Sequence, residues 1–187
     1  MRKAARLVLF IFSVAGVACA QIPTRGNIFA GYSYMRADSD VFPAIIPTSG
    51  VNFNGWEGSL EGKFLPWIGV VADFGGNYGS AQSAPIPSGS SRVDAKLYTV
   101  LFGPRVSVSV GRFTPFVHGL FGVGHISASS SGFSTSDTSF AKDIGGGLDY
   151  KLIKGVAWRV QGDGLFTHVF GVSQDNFRFS TGIVLRF

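Results

Sequence analysis

Charged residues and cysteine are both scarce in this chain, and each shortage narrows the class of protein. Only 14% of the 187 residues are charged, whereas soluble domains carry about 25%. Disordered chains combine many charges with few apolar residues, and here 45% of the residues are hydrophobic. A coiled coil is excluded as well, because the charged helix formers are too few. At this length the chain is expected to form one domain.

The single cysteine, Cys19, lies in a segment with the features of a secretory signal peptide. Three basic residues, an apolar run and small residues follow one another there: Arg2, Lys3 and Arg6, then residues 7–17, then residues 18–20. The run is too short to span a bilayer. We predict a signal peptide over residues 1–20, with cleavage after Ala20, and a barrel domain over residues 21–187. The alternative is a lipoprotein with Cys19 as its first residue, although Gly16 replaces the Leu usual three residues before such a cysteine.

More than half of the excess of basic over acidic residues in the chain comes from this segment. Removing its three basic residues lowers the formal net charge from +5 to +2. The remaining sequence has no run of lysine and arginine, which a nucleic-acid partner would require. We therefore predict no nucleic-acid binding.

After residue 20 the dominant pattern has a period of two. Glu57, Ser59, Glu61 and Lys63 alternate with Trp56, Leu60 and other apolar or small residues, and residues 155–168 and 176–187 repeat the pattern. Successive side chains of a strand point to opposite faces. Eight such segments are predicted, at about residues 26–36, 53–64, 68–79, 92–108, 114–126, 139–150, 155–168 and 176–187. The protein is therefore predicted to be all-β.

The connections between these segments alternate in length. Three are tight, around residues 65–67, 109–113 and 151–154, and four are longer and polar, at residues 37–52, 80–91, 127–138 and 169–175. Short turns at one end and long polar loops at the other are typical of a bacterial transmembrane barrel. We predict an eight-stranded, antiparallel, up-and-down transmembrane β-barrel.

Alternation does not by itself say which face points inward, so a soluble lipocalin-like barrel with an apolar cavity is the alternative. Aromatic residues near the segment ends favour the lipid-facing arrangement, because two interfacial girdles require them there. The predicted girdle residues are Trp67, Tyr150, Trp158 and Phe187 toward the short turns, and Tyr34, Phe53, Trp56 and Tyr78 toward the long loops.

The polar faces also carry nearly matched charges. The acids are Glu57, Glu61, Asp73, Asp143, Asp149 and Asp163, and the bases are Lys63, Arg105, Arg159, Arg178 and Arg186. An eight-stranded barrel is only wide enough for side chains to fill it, and an unpaired buried charge costs about 3–5 kcal/mol. We predict that these residues form an ion-pair network in the lumen. Gly145 and Gly147 would relieve crowding beside it.

The chain from about residue 27 onward resembles the small bacterial outer-membrane β-barrel family that includes the OmpA transmembrane domain, OmpX and the opacity proteins. The resemblance rests on residues 29–34 (FAGYSY), 115–119 (PFVHG), 145–150 (GGGLDY) and 178–187 (RFSTGIVLRF). It implies a protein exported through the periplasm to the outer membrane. It also implies that Phe187, Leu185, Ile183 and Thr181 form the signal read by the barrel assembly machinery.

The resemblance further implies a structural or surface-interaction role, in membrane integrity or in adhesion through the loops. Two alternatives remain. In one, the lumen charges gate a narrow, low-conductance pore. In the other, His125 and Ser127 act as in lipid A acyl hydrolases, with the histidine activating the serine, although Ala128 replaces the asparagine of that family.

We predict no enzyme activity, because a histidine–serine pair without known geometry is only a candidate. Cofactors and metals are not expected either, since His118, His125 and His168 occur singly and no histidine or cysteine pair has ligand spacing. The expected partners are outer-membrane lipid, lipopolysaccharide, the assembly machinery and an unidentified extracellular ligand. The protein is expected to be monomeric.

Overall fold

The computed structural model describes residues 25–37, 51–82, 92–130, 133–169 and 172–187. The predicted signal peptide, Cys19 and most of the first two long connections lie outside these residues. The described residues form eight strands: β1 (Arg25–Ala37), β2 (Val51–Lys63), β3 (Ile68–Gln82), β4 (Arg92–Ser107), β5 (Phe113–Ser130), β6 (Phe133–Ile153), β7 (Val156–Val169) and β8 (Val172–Arg186). They contain no helix that is long and apolar enough to cross a membrane.

Each strand pairs antiparallel with its neighbour in sequence, and β1 also pairs with β8. The sheet is therefore a closed up-and-down barrel, as predicted. The seam is completed beyond the strand end, where the Gly26 amide donates to the Phe187 carbonyl over 3.0 Å and the Phe187 amide donates to the Gly26 carbonyl over 3.1 Å. A closed barrel leaves no free edge along this seam.

Three connections are short, and all lie at the same end of the barrel, which we call the short-turn end. Gly111 and Gly155 occupy two of these turns with positive φ angles of 62° and 81°, a conformation that glycine adopts without steric cost. The opposite, long-connection end differs from prediction. β5 continues to Ser130 and β6 begins at Phe133, so most of the serine-rich segment predicted as loop is a paired hairpin. Serine and threonine backbones hydrogen-bond in a ladder as others do, and polarity alone does not end a strand.

The sheet buries its polar face and exposes its apolar face, the reverse of the arrangement in a soluble protein. Along β2, Glu57 and Glu61 are 1% and 4% exposed, whereas Trp56 and Leu60 are 47% and 51% exposed. The strands β4, β7 and β8 show the same alternation, with Arg105, Arg159 and Arg178 buried in the lumen. The polar face therefore points inward and the apolar face outward, which contradicts the lipocalin-like alternative.

Candidate functional site in the barrel lumen

The centre of the lumen is occupied by one arginine surrounded by carboxylates. Arg178 on β8 is fully buried. Its Nη2 atom lies 2.8 Å from Asp143 Oδ2, its Nη1 atom 3.2 Å from Asp73 Oδ1, and its Nε atom 3.3 Å from Asp163 Oδ2 and 3.5 Å from Glu57 Oε2. These acids come from β2, β3, β6 and β7. A single side chain thus links five of the eight strands across the barrel.

Neutral groups complete the hydrogen bonding of Glu57. Gln161 Nε2 donates to Glu57 Oε1 and Ser180 Oγ donates to Glu57 Oε2, both over 2.5 Å. Gln161 Nε2 also donates to Asp163 Oδ2 over 3.1 Å. A buried carboxylate requires such partners, because an unsatisfied charged group in the interior costs several kcal/mol.

His118 on β5 adds a further group to the central cluster. Its Nε2 atom lies 3.2 Å from Asp143 Oδ1 and 3.1 Å from Asp163 Oδ1, and its Nδ1 atom lies 3.4 Å from Arg105 Nη2. From the sequence, this histidine is predicted to occur singly, without a metal-ligating partner. Strand parity could have found it, since it shares the inward face of β5 with the buried Phe116 and Leu120.

His118, Asp143 and Asp163 are three potential metal ligands, with one atom from each lying within 4.8 Å of the others. Arg178 already contacts both carboxylates, and Arg105 lies against the imidazole. Positive charge is therefore supplied to the cluster by the chain itself, which disfavours a cation between these atoms. The expectation of no bound metal stays a prediction.

A second ion cluster lies toward the short-turn end. Glu61 Oε2 accepts from Asn27 Nδ2 over 2.6 Å and lies 3.3 Å from Arg105 Nη1, and Lys63 Nζ is 3.8 Å from Glu61 Oε1. Across the lumen, Asp149 accepts two bonds from Arg159, over 2.7 and 3.0 Å, and one from Arg186 over 3.0 Å. The guanidinium of Arg159 also stacks on the rings of Phe29 and Phe116, at 5.0 and 4.5 Å from their centroids.

The structure thus places the ten residues of the predicted network in two clusters. Glu57, Asp73, Asp163 and Arg178 lie in the centre together with Asp143, the eleventh residue with a predicted lumen charge, and Glu61, Lys63, Arg105, Asp149, Arg159 and Arg186 lie toward the short turns. Sequence analysis did not anticipate this division, because alternation gives the face of a residue and not its height along the barrel axis. It also missed the amide and hydroxyl groups that bridge the acids.

Beyond the central cluster the lumen holds uncharged side chains, both apolar and polar, and the polar ones include Asn77, Thr99 and Asn176. A buried cluster runs from the long-connection end down the β3–β5 wall: Met35, Phe53, Val71, Leu97, Leu101, Leu120, Ile126, Ala141 and Leu165. Phe53 was expected in an aromatic girdle, but it is 5% exposed and points inward. Phe53 and Glu57 are four residues apart on β2, so their side chains lie on the same, inward face of the strand. The charged interior is therefore bordered on this side by uncharged side chains.

The other aromatic residues predicted for the girdles lie on the outside near the two ends. Tyr34 donates to Asn52 Oδ1 over 2.9 Å, and the hydroxyls of Tyr78 and Tyr98 are 3.2 Å apart. At the short-turn end, Trp158 Nε1 donates to Thr181 Oγ1 over 2.9 Å and Arg112 Nη1 donates to the Tyr150 hydroxyl over 3.4 Å. Exposed positions are also taken by Trp56 and Trp67, and by the strand-end residues Ile183, Leu185 and Phe187.

The histidine and serine of the acyl hydrolase alternative face outward on β5. His125 is exposed, and its Nδ1 atom lies 2.7 Å from the hydroxyl oxygen of Thr138 on β6. In a catalytic triad this nitrogen contacts a carboxylate. The geometry of His125 is that of a surface hydrogen bond between neighbouring strands.

Comparisons with known proteins agree with this architecture. The family described as "Outer membrane protein beta-barrel domain" matches residues 4–187, whereas no curated protein matches the chain. Among solved structures, Ail of Yersinia pestis is similar, with 20% identity, a TM-score of 0.63, and coverage of 87% of this chain and 98% of Ail.

Two further barrels show the same fold. Neisserial surface protein A has 14% identity and a TM-score of 0.66 over 87% of this chain and 97% of its own. The N-terminal barrel domain of Pseudomonas aeruginosa OprF has 14% identity and a TM-score of 0.56 over 89% and 100%. In such barrels the apolar outer belt faces lipid and the short turns face the periplasm. The chain belongs to the outer membrane protein β-barrel domain family and is a bacterial outer-membrane protein whose eight strands form a transmembrane barrel.

Proposed function

We propose that this protein is a closed outer-membrane barrel with a structural and surface-interaction role. The observation that carries the proposal is the filled lumen. Arg178 and its four carboxylates occupy the centre, and buried apolar and uncharged polar side chains fill the lumen toward the long-connection end. An eight-stranded barrel leaves room for side chains only. The eleven charged residues predicted for the lumen then act as a structural core that holds the strands in register.

The long-connection end supports the interaction part of the proposal. It carries the connections that face the cell exterior in barrels of this type, and its β5–β6 hairpin is extended by Ser127, Ser129, Ser134 and Ser136 in paired register. Ail, which shares the fold, is described as an attachment invasion locus protein and has been crystallised with a heparin analogue. A barrel of this shape is therefore compatible with surface attachment.

The outer surface supports the proposed lipid partners and assembly route. Exposed aromatic rings at both ends would anchor the barrel in the two interfaces, with lipopolysaccharide on the cell-surface side. Exposed Ile183, Leu185 and Phe187 lie on the outward face of the last strand, where the assembly machinery could bind them. We expect a monomer, because the ring closes within one chain.

Single-channel recording in planar bilayers tests the closed lumen. The folded protein, identified by a faster gel mobility before boiling than after, is expected to give no current steps above background. A general porin inserted in the same bilayers verifies that openings would be detected. Regular openings would contradict the closed barrel and favour the pore alternative.

A strain lacking the protein tests the cellular role. One complementing variant has connections 38–50 and 83–91 replaced by short glycine–serine turns. We expect wild type and this variant to restore resistance to detergent equally, because both retain the barrel. Only wild type should restore adhesion to mammalian cell layers. Absence of both phenotypes in the deletion strain would contradict the proposal.

A further inference from the structure

The short-turn end of the lumen opens into a cavity of about 710 Å³ that faces the periplasm. Its polar lining includes Arg25, Lys63 and Arg186, which come from the neighbouring strands β1, β2 and β8. Apolar side chains such as Leu65 and Trp67 also line it. This cavity is separate from the closed centre of the barrel, so an inference from it does not depend on whether the lumen conducts.

Positive charge is in excess at this mouth. Arg25 stands directly opposite Lys63 in the β1–β2 ladder, and like charges in that position repel each other. The nearest acids lie deeper and are shared. Glu61, 3.8 Å from Lys63, also binds Arg105, while Asp149, 3.0 Å from Arg186, also binds Arg159. Two carboxylates thus serve four cations, and Arg25 adds a fifth.

Hydrogen-bond donors are in excess as well. Arg186 lines the cavity, and its Nε atom is buried without a hydrogen-bond partner among the described residues. The same holds for Arg105 Nε and Arg159 Nη1 in the layer beneath. Buried donors normally have an acceptor. These donor atoms are buried, and within the described part of the chain the acceptor Glu61 Oε1 also lacks a hydrogen-bond partner, so the capacity of the mouth for an anion comes from the three cations that line the cavity.

We propose that this cavity binds a phosphate ester that carries net negative charge, with no cation of its own beside the phosphate, and that Arg25, Lys63 and Arg186 are its ligands. Arginine forks and lysine ammonium groups are the side chains that bind phosphate oxygens most strongly. Two sources present this group at the periplasmic face: the head group of an anionic phospholipid in the inner leaflet, and a free phosphate ester.

The rim of the cavity favours the lipid source. Leu65, Trp67 and Phe187 line the cavity and are 47%, 51% and 68% exposed. They lie where the lipid-facing belt meets the periplasm, so a head group could enter the cavity while its acyl chains remain against the belt. Apolar contacts of this kind would be unavailable to a free phosphate ester.

Native mass spectrometry and calorimetry of the purified full barrel test the proposal. The barrel is folded in zwitterionic detergent and titrated with short-chain phosphatidylglycerol, short-chain phosphatidylcholine and glycerol phosphate. Arg25→Gln and Lys63→Gln remove cavity cations. Lys151→Gln combined with Lys154→Gln is the matched control, because both lysines are exposed at the same end and lie outside the cavity lining. Arg25 is exposed at the strand start, so its replacement leaves the barrel able to fold.

We expect phosphatidylglycerol to bind and phosphatidylcholine to bind at least tenfold more weakly. Each cavity substitution should weaken binding about five- to tenfold, equivalent to the loss of one charge-assisted hydrogen bond at a partly exposed site, and the control should change it less than twofold. Glycerol phosphate binding with the same residue dependence and an affinity equal to that of phosphatidylglycerol would assign the site to a free ester. Equal binding of both lipids, or equal effects of the cavity and control substitutions, would overturn the proposal.

Discussion

Replacing Arg178 with methionine tests whether the central cluster stabilises the barrel. Methionine matches the length of the arginine stem but carries no charge. The substitution leaves Glu57, Asp73, Asp143 and Asp163 without the guanidinium that lies within 3.5 Å of each. Carboxylates that repel one another would then remain in a closed interior, with His118 as their nearest other basic group.

The expected loss follows from the number of contacts. With an effective dielectric constant of about 20, two unit charges about 4 Å apart attract each other by about 4 kcal/mol. Four such attractions give about 16 kcal/mol before the desolvation of Arg178, the uptake of protons by the acids and structural relaxation are subtracted. Removal of one partner from a buried ion pair costs about 3–5 kcal/mol net. Because Arg178 has four partners, we expect a loss near the upper value.

Urea unfolding in lipid vesicles, followed by tryptophan fluorescence, measures this loss. Arg36→Met is the matched control, because Arg36 is exposed near the outer end of β1, and we expect its unfolding free energy to change by less than about 0.5 kcal/mol. In the R178M background, Asp73→Asn should restore part of the stability by removing one unpaired charge. If R178M fails to fold, reappearance of the folded, heat-modifiable band in the double variant would likewise show that removing one unpaired charge restores stability.

A result that refutes the reasoning is easily recognised. The refuting result is an unfolding free energy of R178M within about 1 kcal/mol of the wild-type value, a difference comparable to that of an ordinary surface substitution. The four acids would then be stabilised by neutral donors and protons, and the arginine would not be the structural centre of the barrel. The same conclusion would follow if Asp73→Asn lowered the stability of R178M further.

Two other predictions concern the inner and outer faces. A Cβ atom on Gly145 would lie 2.0 Å from Asp163 Oδ1, whereas the nearest atom to a Cβ on Gly124 would be 3.7 Å away. Gly145→Ala should therefore lower the unfolding free energy by about 1–3 kcal/mol, and Gly124→Ala should not. Equal losses of the two variants in urea unfolding would contradict the packing. Val100→Arg, in the middle of the lipid-facing belt, should cost about 2–4 kcal/mol, against about 0–1 kcal/mol for Val108→Arg near the short turns. A reversed order of these two losses, measured in the same vesicles, would show that the belt is misplaced.

The fold was predictable because one physical constraint is repeated eight times. Side chains alternate between lipid and lumen along every strand, so residues such as Glu57 and Leu60 reveal their faces by parity alone. The ends of the strands were less predictable. The segment that contains Ser127 and Ser136 has a loop-like composition, yet its backbone continues the ladder.

The arrangement of the lumen could be predicted only in part. Parity places Arg105 and Arg178 inside, but the stagger between strands decides which acids each one reaches. That stagger is set by packing around the whole ring and leaves no local signal. His118 and Phe53 could have been assigned to the lumen from the sequence, because each lies an even number of residues from inward-facing residues of its own strand.

The position of Arg178 on the last strand links two events in the formation of the barrel. β8 closes the ring by pairing with β1 as well as β7, and it also brings the one guanidinium that contacts acids on β2, β3, β6 and β7. Any open form from which β8 has detached has two unpaired edges and a group of carboxylates without their cation. Strand pairing and charge neutralisation are therefore lost or gained together, and we expect this barrel to unfold cooperatively, without stable seven-stranded intermediates.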